Sequence, residues 1–206
     1  MSTSLTKAEI ARRQLGLALA LYLKNQDPVS VHTLACAGAE IAEGLSAIAG
    51  KPTYQSLRLE GMPEIKASDF RSLRNQYWNA FKHIEDRKGR PRADDELLAS
   101  FSEDENTIRL FMGWFDFGVA GNPLPIAAQV FQAWFLALDP SKLNTEHGKS
   151  LRNGLERHFP NLPNIGRHQQ HRRLLRMIDR YKTDREFASD ERTDQRPLIL
   201  GALARS

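Results

Sequence analysis

The residues best suited to chemistry fall on one helical stretch, residues 69–86. Turned at about 100° per residue, Phe70, Leu73, Tyr77, Ala80, Phe81 and Ile84 form one apolar stripe, the expected core face. Opposite it lie Asn75, Asn79, Lys82 and Asp86, with His83 at the edge and Arg74 and Trp78 on the other flank. Asn75 to Asn79 and Asn79 to His83 are one-turn steps, so amide, ammonium and imidazole share a patch that suits a phosphate or a carbonyl. His83 is the expected general acid/base, because imidazole alone titrates near neutrality. Lys82 or Arg74 would stabilise charge on a phosphorane, and Asn75 and Asn79 would hold the substrate. A solvated helix face or a buried dimer seam explains the same pattern without chemistry.

A basic helix near residues 164–187 offers a second anion site. Between 167 and 182 stand Arg167, Arg172, Arg173, Arg176, Arg180 and Lys182 against Asp179 alone. Arg172, Arg173, Arg176 and Arg180 gather on one side and Leu174, Met177, Ile178 and Tyr181 on the other. The helix should pack by the second side and present the first to nucleic-acid phosphate or to an acidic protein partner. His32 and Cys36, one turn apart on an Ala/Gly-rich helix, could form a thiolate–imidazolium dyad or be a small hydrophobe beside a hydrogen-bonded histidine. Asp116, set between Phe111 and Phe117 in an apolar run, needs a hydrogen-bond partner or a proton if it is buried. No Glu-x-x-His occurs, and His168 and His171 lack a nearby carboxylate, so no metal and no cofactor is expected.

The elements that must position these groups read as helices. Thr6 and Glu9 have capping-box spacing before an Ala/Leu-rich helix to about Lys24, and Asp27-Pro28 opens a second helix to Gly50. These two should form an antiparallel hairpin. A third helix follows Ser68-Asp69. Ser102 and Glu105 form another capping box before residues 108–119, and Asn122-Pro123 precedes a helix over about 124–138, with shorter ones near 145–158 and 164–187. The expected fold is therefore all-α, a bundle of five to seven helices with long loops at 51–67 and 86–101. Residues 1–160 should form the bundle, 161–188 a basic amphipathic helix packed on it, and 189–206 a charged tail.

Arg74-Asn75 followed by Lys82-His83, on a late helix of a small all-α bundle, resembles the HEPN superfamily, which includes metal-independent ribonucleases and non-catalytic relatives. Its motif is Arg, a polar residue, then His after four to six intervening residues; here eight residues separate Arg74 from His83. The resemblance covers residues 7–140. It implies RNA as substrate, a homodimer that brings Arg and His together, and roles for Arg74, Asn75 and His83. Its alternative is a non-catalytic helical module for protein partners.

Composition sets the outer limits. The 206 residues are 41% apolar and 26% charged with a net charge of +4, which suits a globular chain with a substantial core. The longest apolar run is nine residues, Leu15 to Leu23, against the roughly 20 of a membrane span. With a single cysteine and no apolar leader after the first residues, a cytoplasmic address is expected, with no membrane partner.

Overall fold

The computed structural model describes residues 5–86, 88–143 and 146–201. Arg87 in the second expected loop, residue 145 at the expected start of the 145–158 helix and residues 202–206 of the expected tail lie outside them. The all-α expectation holds. Among the described residues there are eleven α-helices and two strands of two residues each, more helices than the five to seven expected.

Two compact units divide the chain, one through Gly121 that also holds Gly201, the other Asn122–Leu200. The first contains α1 (Lys7–Leu23), α2 (Pro28–Ile48), α3 (Tyr54–Glu60), α4 (Ala67–Arg74), α5 (Gln76–Lys82), α6 (Asp95–Ala99) and α7 (Glu103–Val119). Local chemistry starts the first two as the sequence predicts. Thr6 Oγ1 accepts the Glu9 amide at 3.1 Å, and the Asp27 carboxylate accepts the amides of Val29 and Ser30 ahead of Pro28. Ser102 stands at the N-cap of α7, but its side chain makes no capping bond. The extra helices come from the two long loops, where α3 and α6 form, and from breaks in the third expected helix and in the expected 164–187 helix after Lys182.

α1, α2 and α7 pack on one another around Ala11, Leu15, Leu19, Val31, Ala35, Ala42, Leu110 and Trp114, all buried. They meet at Leu15. A Cβ on Gly38 would lie 2.7 Å from Leu15 Cγ, and one on Gly113 would lie 2.6 Å from Leu15 Cδ2, so only glycine permits this approach. α3 rests on α7 and α5 on α2. Gly121, at φ +88°, carries the chain out of α7 through the left-handed region that suits glycine.

The second unit contains β1 (Leu124–Pro125), α8 (Ile126–Leu138), α9 (Glu146–His158), α10 (Arg167–Lys182), α11 (Arg185–Ser189) and β2 (Thr193–Asp194). The helices at 124–138 and 145–158, expected within a bundle of residues 1–160, thus share a unit with the basic helix. α8 is the hub. It packs on α9 and α10 through Val130, Phe131, Trp134, Leu155, Leu174 and Ile178, and its Trp134 Nε1 donates to the Gln170 carbonyl at 3.0 Å. Part of the expected tail docks here: β2 pairs in parallel with β1, Leu124 opposite Thr193 and Pro125 opposite Asp194. Gln129 Nε2 ties the pair together through the Leu124 carbonyl and Thr193 Oγ1.

Candidate functional site

In the first unit, α2, α4, α5 and α7 enclose a cavity of about 430 Å³. α2 gives it Cys36, Ala39, Glu40, Glu43, Gly44 and Ala47; α4 and its end give Arg71, Arg74 and Asn75; α5 gives Trp78; α7 gives Arg109, Met112 and Asp116; Thr53 completes the wall. The floor is sealed by Cys36, Arg109, Met112 and Asp116, all buried, while Glu40, Gly44, Ala47 and Arg71 are exposed at the mouth.

Arg109 organises this region. Its Nη2 donates to the Arg74 carbonyl and, at 3.0 Å, to Asn75 Oδ1. In an unbroken helix an amide of the next turn would bond that carbonyl. The guanidinium therefore inserts into the helical ladder and separates α4 from α5 at Asn75. Arg74 is itself held, with Nη1 2.9 Å from Glu43 Oε2. Its Nε and the Trp78 indole nitrogen are buried donors with no hydrogen-bond partner among the described residues.

The break changes the expected patch. Arg74 and Asn75 line the cavity, but α5 ends at Lys82, and His83 caps it in extended backbone with an exposed side chain. The angular sum along one continuous helix consequently fails between Arg74 and His83. Lys82 Nζ stands 4.5 Å from the centre of the Trp78 ring, a cation–π contact on the exposed side. Asn79 stays one turn from His83, whose amide donates to the Asn79 carbonyl. Leu73 and Ile84, expected in the core, are 66% and 88% exposed, because the helix is interrupted after the first and has ended before the second.

Asp116 is 2% exposed, and its Oδ1 accepts the Tyr54 amide at 2.6 Å. Burial pushes its carboxyl up to about 6; the Tyr54 amide opposes this, Glu43 adds to it, and Arg74 opposes it. Among the described residues neither Arg74, Lys82 nor His83 lies at ion-pair distance from it. Burial also lowers Arg109, which makes no ion pair among the described residues.

His32 and Cys36 form no dyad. His32 Nδ1 donates to Asn106 Oδ1 at 2.9 Å, and its ring is boxed edge-on by Tyr77, Phe81 and Phe101. Burial, helped by the Arg109 charge and opposed by the Asn106 bond, lowers His32 to about 4. Burial raises Cys36 to about 11 against the nearby cations, led by Arg109. Both groups are neutral near pH 7, which is the hydrophobe-and-hydrogen-bond alternative. No group of three or more His, Cys, Asp or Glu residues that could hold a metal occurs among the described residues.

On α10, Leu174, Met177 and Ile178 are buried, and Arg172, Arg176 and Arg180 are exposed at successive turns with no ion pair among the described residues. Arg173 is half-buried and engaged, its Nη1 donating to the Pro160 carbonyl. Asp179, the one acid on this helix, pairs with Lys182 at 3.2 Å. Among the described residues no helix is long and apolar enough to cross a membrane.

Sequence reading missed Arg109, Glu40, Glu43, Arg71 and Thr53 as parts of one site. The usable signal was on α7, where Arg109 and Asp116 interrupt the same apolar run seven residues apart and so share a face. No family model matches the chain, and no curated protein or solved structure matches it significantly.

Proposed function

We propose that this chain is a HEPN-like helical protein that contacts RNA through the exposed arginines of α10 and holds it without cutting it. The carrying observation is the row Arg172, Arg176 and Arg180, three guanidinium groups one turn apart, without an ion pair among the described residues, on a helix fixed from behind by Leu174, Met177 and Ile178. Like charges at one-turn spacing destabilise a helix by about 0.2–0.5 kcal/mol per pair. A face serving only solvation would alternate them with acids, so this row favours an external anion. Phosphates meet arginine in bidentate, charge-assisted hydrogen bonds.

Binding fits better than cleavage. Arg74 is engaged by Glu43 at the cavity wall, whereas His83 caps α5 with its side chain exposed, so the two do not form an evident catalytic pair within one chain. A homodimer would reunite such groups from two copies, and the exposed Leu73 and Ile84 supply apolar surface for one. Sedimentation at micromolar concentration tests the dimer; a monomer there removes it.

Single-stranded RNA incubated with the protein in chelator should be retained at low salt and remain intact. Cleavage by the wild type that His83→Ala abolishes would restore the metal-independent ribonuclease, with His83 as acid/base and Lys82 or Arg74 as the cation. No RNA retention at low salt would overturn the reading in favour of a protein-interaction module, for which the same row suits an acidic partner.

A further inference from the structure

The cavity of the first unit shares no residue with the α10 arginines proposed to contact RNA. Arg109 and Asp116 are two turns apart on one face of α7, about 10 Å along its axis. Both are nearly removed from solvent, at 5% and 2% exposure. Among the described residues neither has an opposite charge at ion-pair distance: Arg109 meets a carbonyl and an amide oxygen, and Asp116 meets the Tyr54 amide. Glu43 and Glu105 act on Arg109 only from farther away. A buried charge without a counter-charge is strongly unfavourable, yet here one of each sign lines the same open cavity.

Two further features point to an occupant. The buried Arg74 Nε and Trp78 Nε1 are donors without acceptors on side chains that line the cavity. The facing helix α2 offers the small residues Ala39, Gly44 and Ala47, and a Cβ on Gly44 would meet nothing within 4 Å. A volume of about 430 Å³ falls within the roughly 300–1,000 Å³ of small-molecule sites.

The charges also select the ligand. Arg71, Arg74 and Arg109 are balanced by Glu40, Glu43 and Asp116, so a simple anion would face three carboxylates and a simple cation three guanidinium groups. We propose that the cavity binds a small linear zwitterion, its carboxylate received by Arg109, Arg74 Nε and Trp78 Nε1 and its ammonium or guanidinium by Asp116. ω-Amino acids, ω-guanidino acids and dipeptides carry this chemistry, with the two charges held apart by a short chain.

Calorimetry with 6-aminohexanoate, set against hexanoate and hexylamine, tests this on the full chain. The zwitterion should bind at least about tenfold more tightly than either half-molecule, because each half leaves one buried charge unanswered. Asp116→Asn should weaken 6-aminohexanoate by at least about tenfold. Gly44→Leu, placed in open space on a helix, should abolish binding while circular dichroism remains that of the wild type and the thermal midpoint is no lower, leucine being the better helix former. Equal affinity for hexanoate and 6-aminohexanoate would overturn the proposal, as would full binding by Gly44→Leu. So would failure of 4-aminobutanoate, 6-aminohexanoate and 8-aminooctanoate alike to bind at about 10 mM.

Discussion

Replacing Asp116 by Asn should stabilise the protein at neutral pH and destabilise it slightly in acid. Burial raises the folded-state carboxyl from 3.8 to about 6, a shift of roughly two units, and each unit is worth about 1.36 kcal/mol. Because the folded pKa is the higher one, the penalty on the ionised form is absent below about pH 4, grows between there and 6, and is complete above. It amounts to about 3 kcal/mol at pH 7.5. Asn keeps an oxygen for the Tyr54 amide but brings an NH2 group that lacks an evident acceptor at this buried position, at a cost of about 1–2 kcal/mol. The net gain at pH 7.5 is therefore about 1–2 kcal/mol. Urea unfolding of both proteins at pH 7.5 and pH 4, followed by tryptophan fluorescence, measures it. A variant that is less stable at pH 7.5, or that differs from wild type equally at both pH values, would refute the reasoning. The titration of His32 is common to both proteins and cancels in the comparison.

His32 produces its own acid dependence: its folded pKa is lowered from 6.5 to about 4, so the stability of the neutral buried ring is complete above 6.5 and is lost as pH falls through 4. This loss amounts to about 3 kcal/mol between pH 7 and 4 and opposes the Asp116 contribution of similar size, so in urea unfolding the stability of His32→Leu relative to wild type should rise by about 3 kcal/mol over that range; a variant with the wild-type pH dependence would contradict the assignment. Cys36, 1% exposed with its thiol raised to about 11, should resist iodoacetamide in the native protein and react after denaturation, and rapid native alkylation would restore a reactive thiolate. Gly38→Ala should lower stability by about 1–3 kcal/mol, although alanine is the better helix former by about 1 kcal/mol, because its Cβ would sit against Leu15 Cγ; a more stable variant would show that the α1–α2 contact can open without penalty.

What could be read along the chain was local. Thr6 with Glu9 and Asp27 with Pro28 announce their helices, since a cap is a contract between residues two or three apart. The apolar side of α10 was legible for a similar reason: periodicity places Leu174, Met177 and Ile178 together whatever they pack against. The break between α4 and α5 was not legible. It is made by the side chain of Arg109, 35 residues from the Arg74 carbonyl that it captures, and the segment 69–86 alone reads as one good helix. That single long-range bond moved Arg74 and Asn75 to the cavity wall and decoupled them from His83, which follows the end of α5. The cavity was illegible for the same reason, because Glu43, Arg74 and Asp116 meet only once α2, α4 and α7 are assembled. Asp116 was visible as an acid in an apolar run, while the absence of a cation at ion-pair distance depends on packing.

RNA contact through α10 rests on charge, so the salt dependence of binding measures it. Anisotropy of a labelled single-stranded RNA, titrated with wild-type protein and with the combined Arg172→Gln, Arg176→Gln and Arg180→Gln variant across a range of salt, gives the slope of log affinity against log salt. Each single-strand phosphate neutralised contributes about −0.7, so three arginines account for about −2. The wild-type slope should be at least that steep and the variant slope shallower by about 2. Equal slopes for the two proteins, or wild-type binding insensitive to salt, would contradict it.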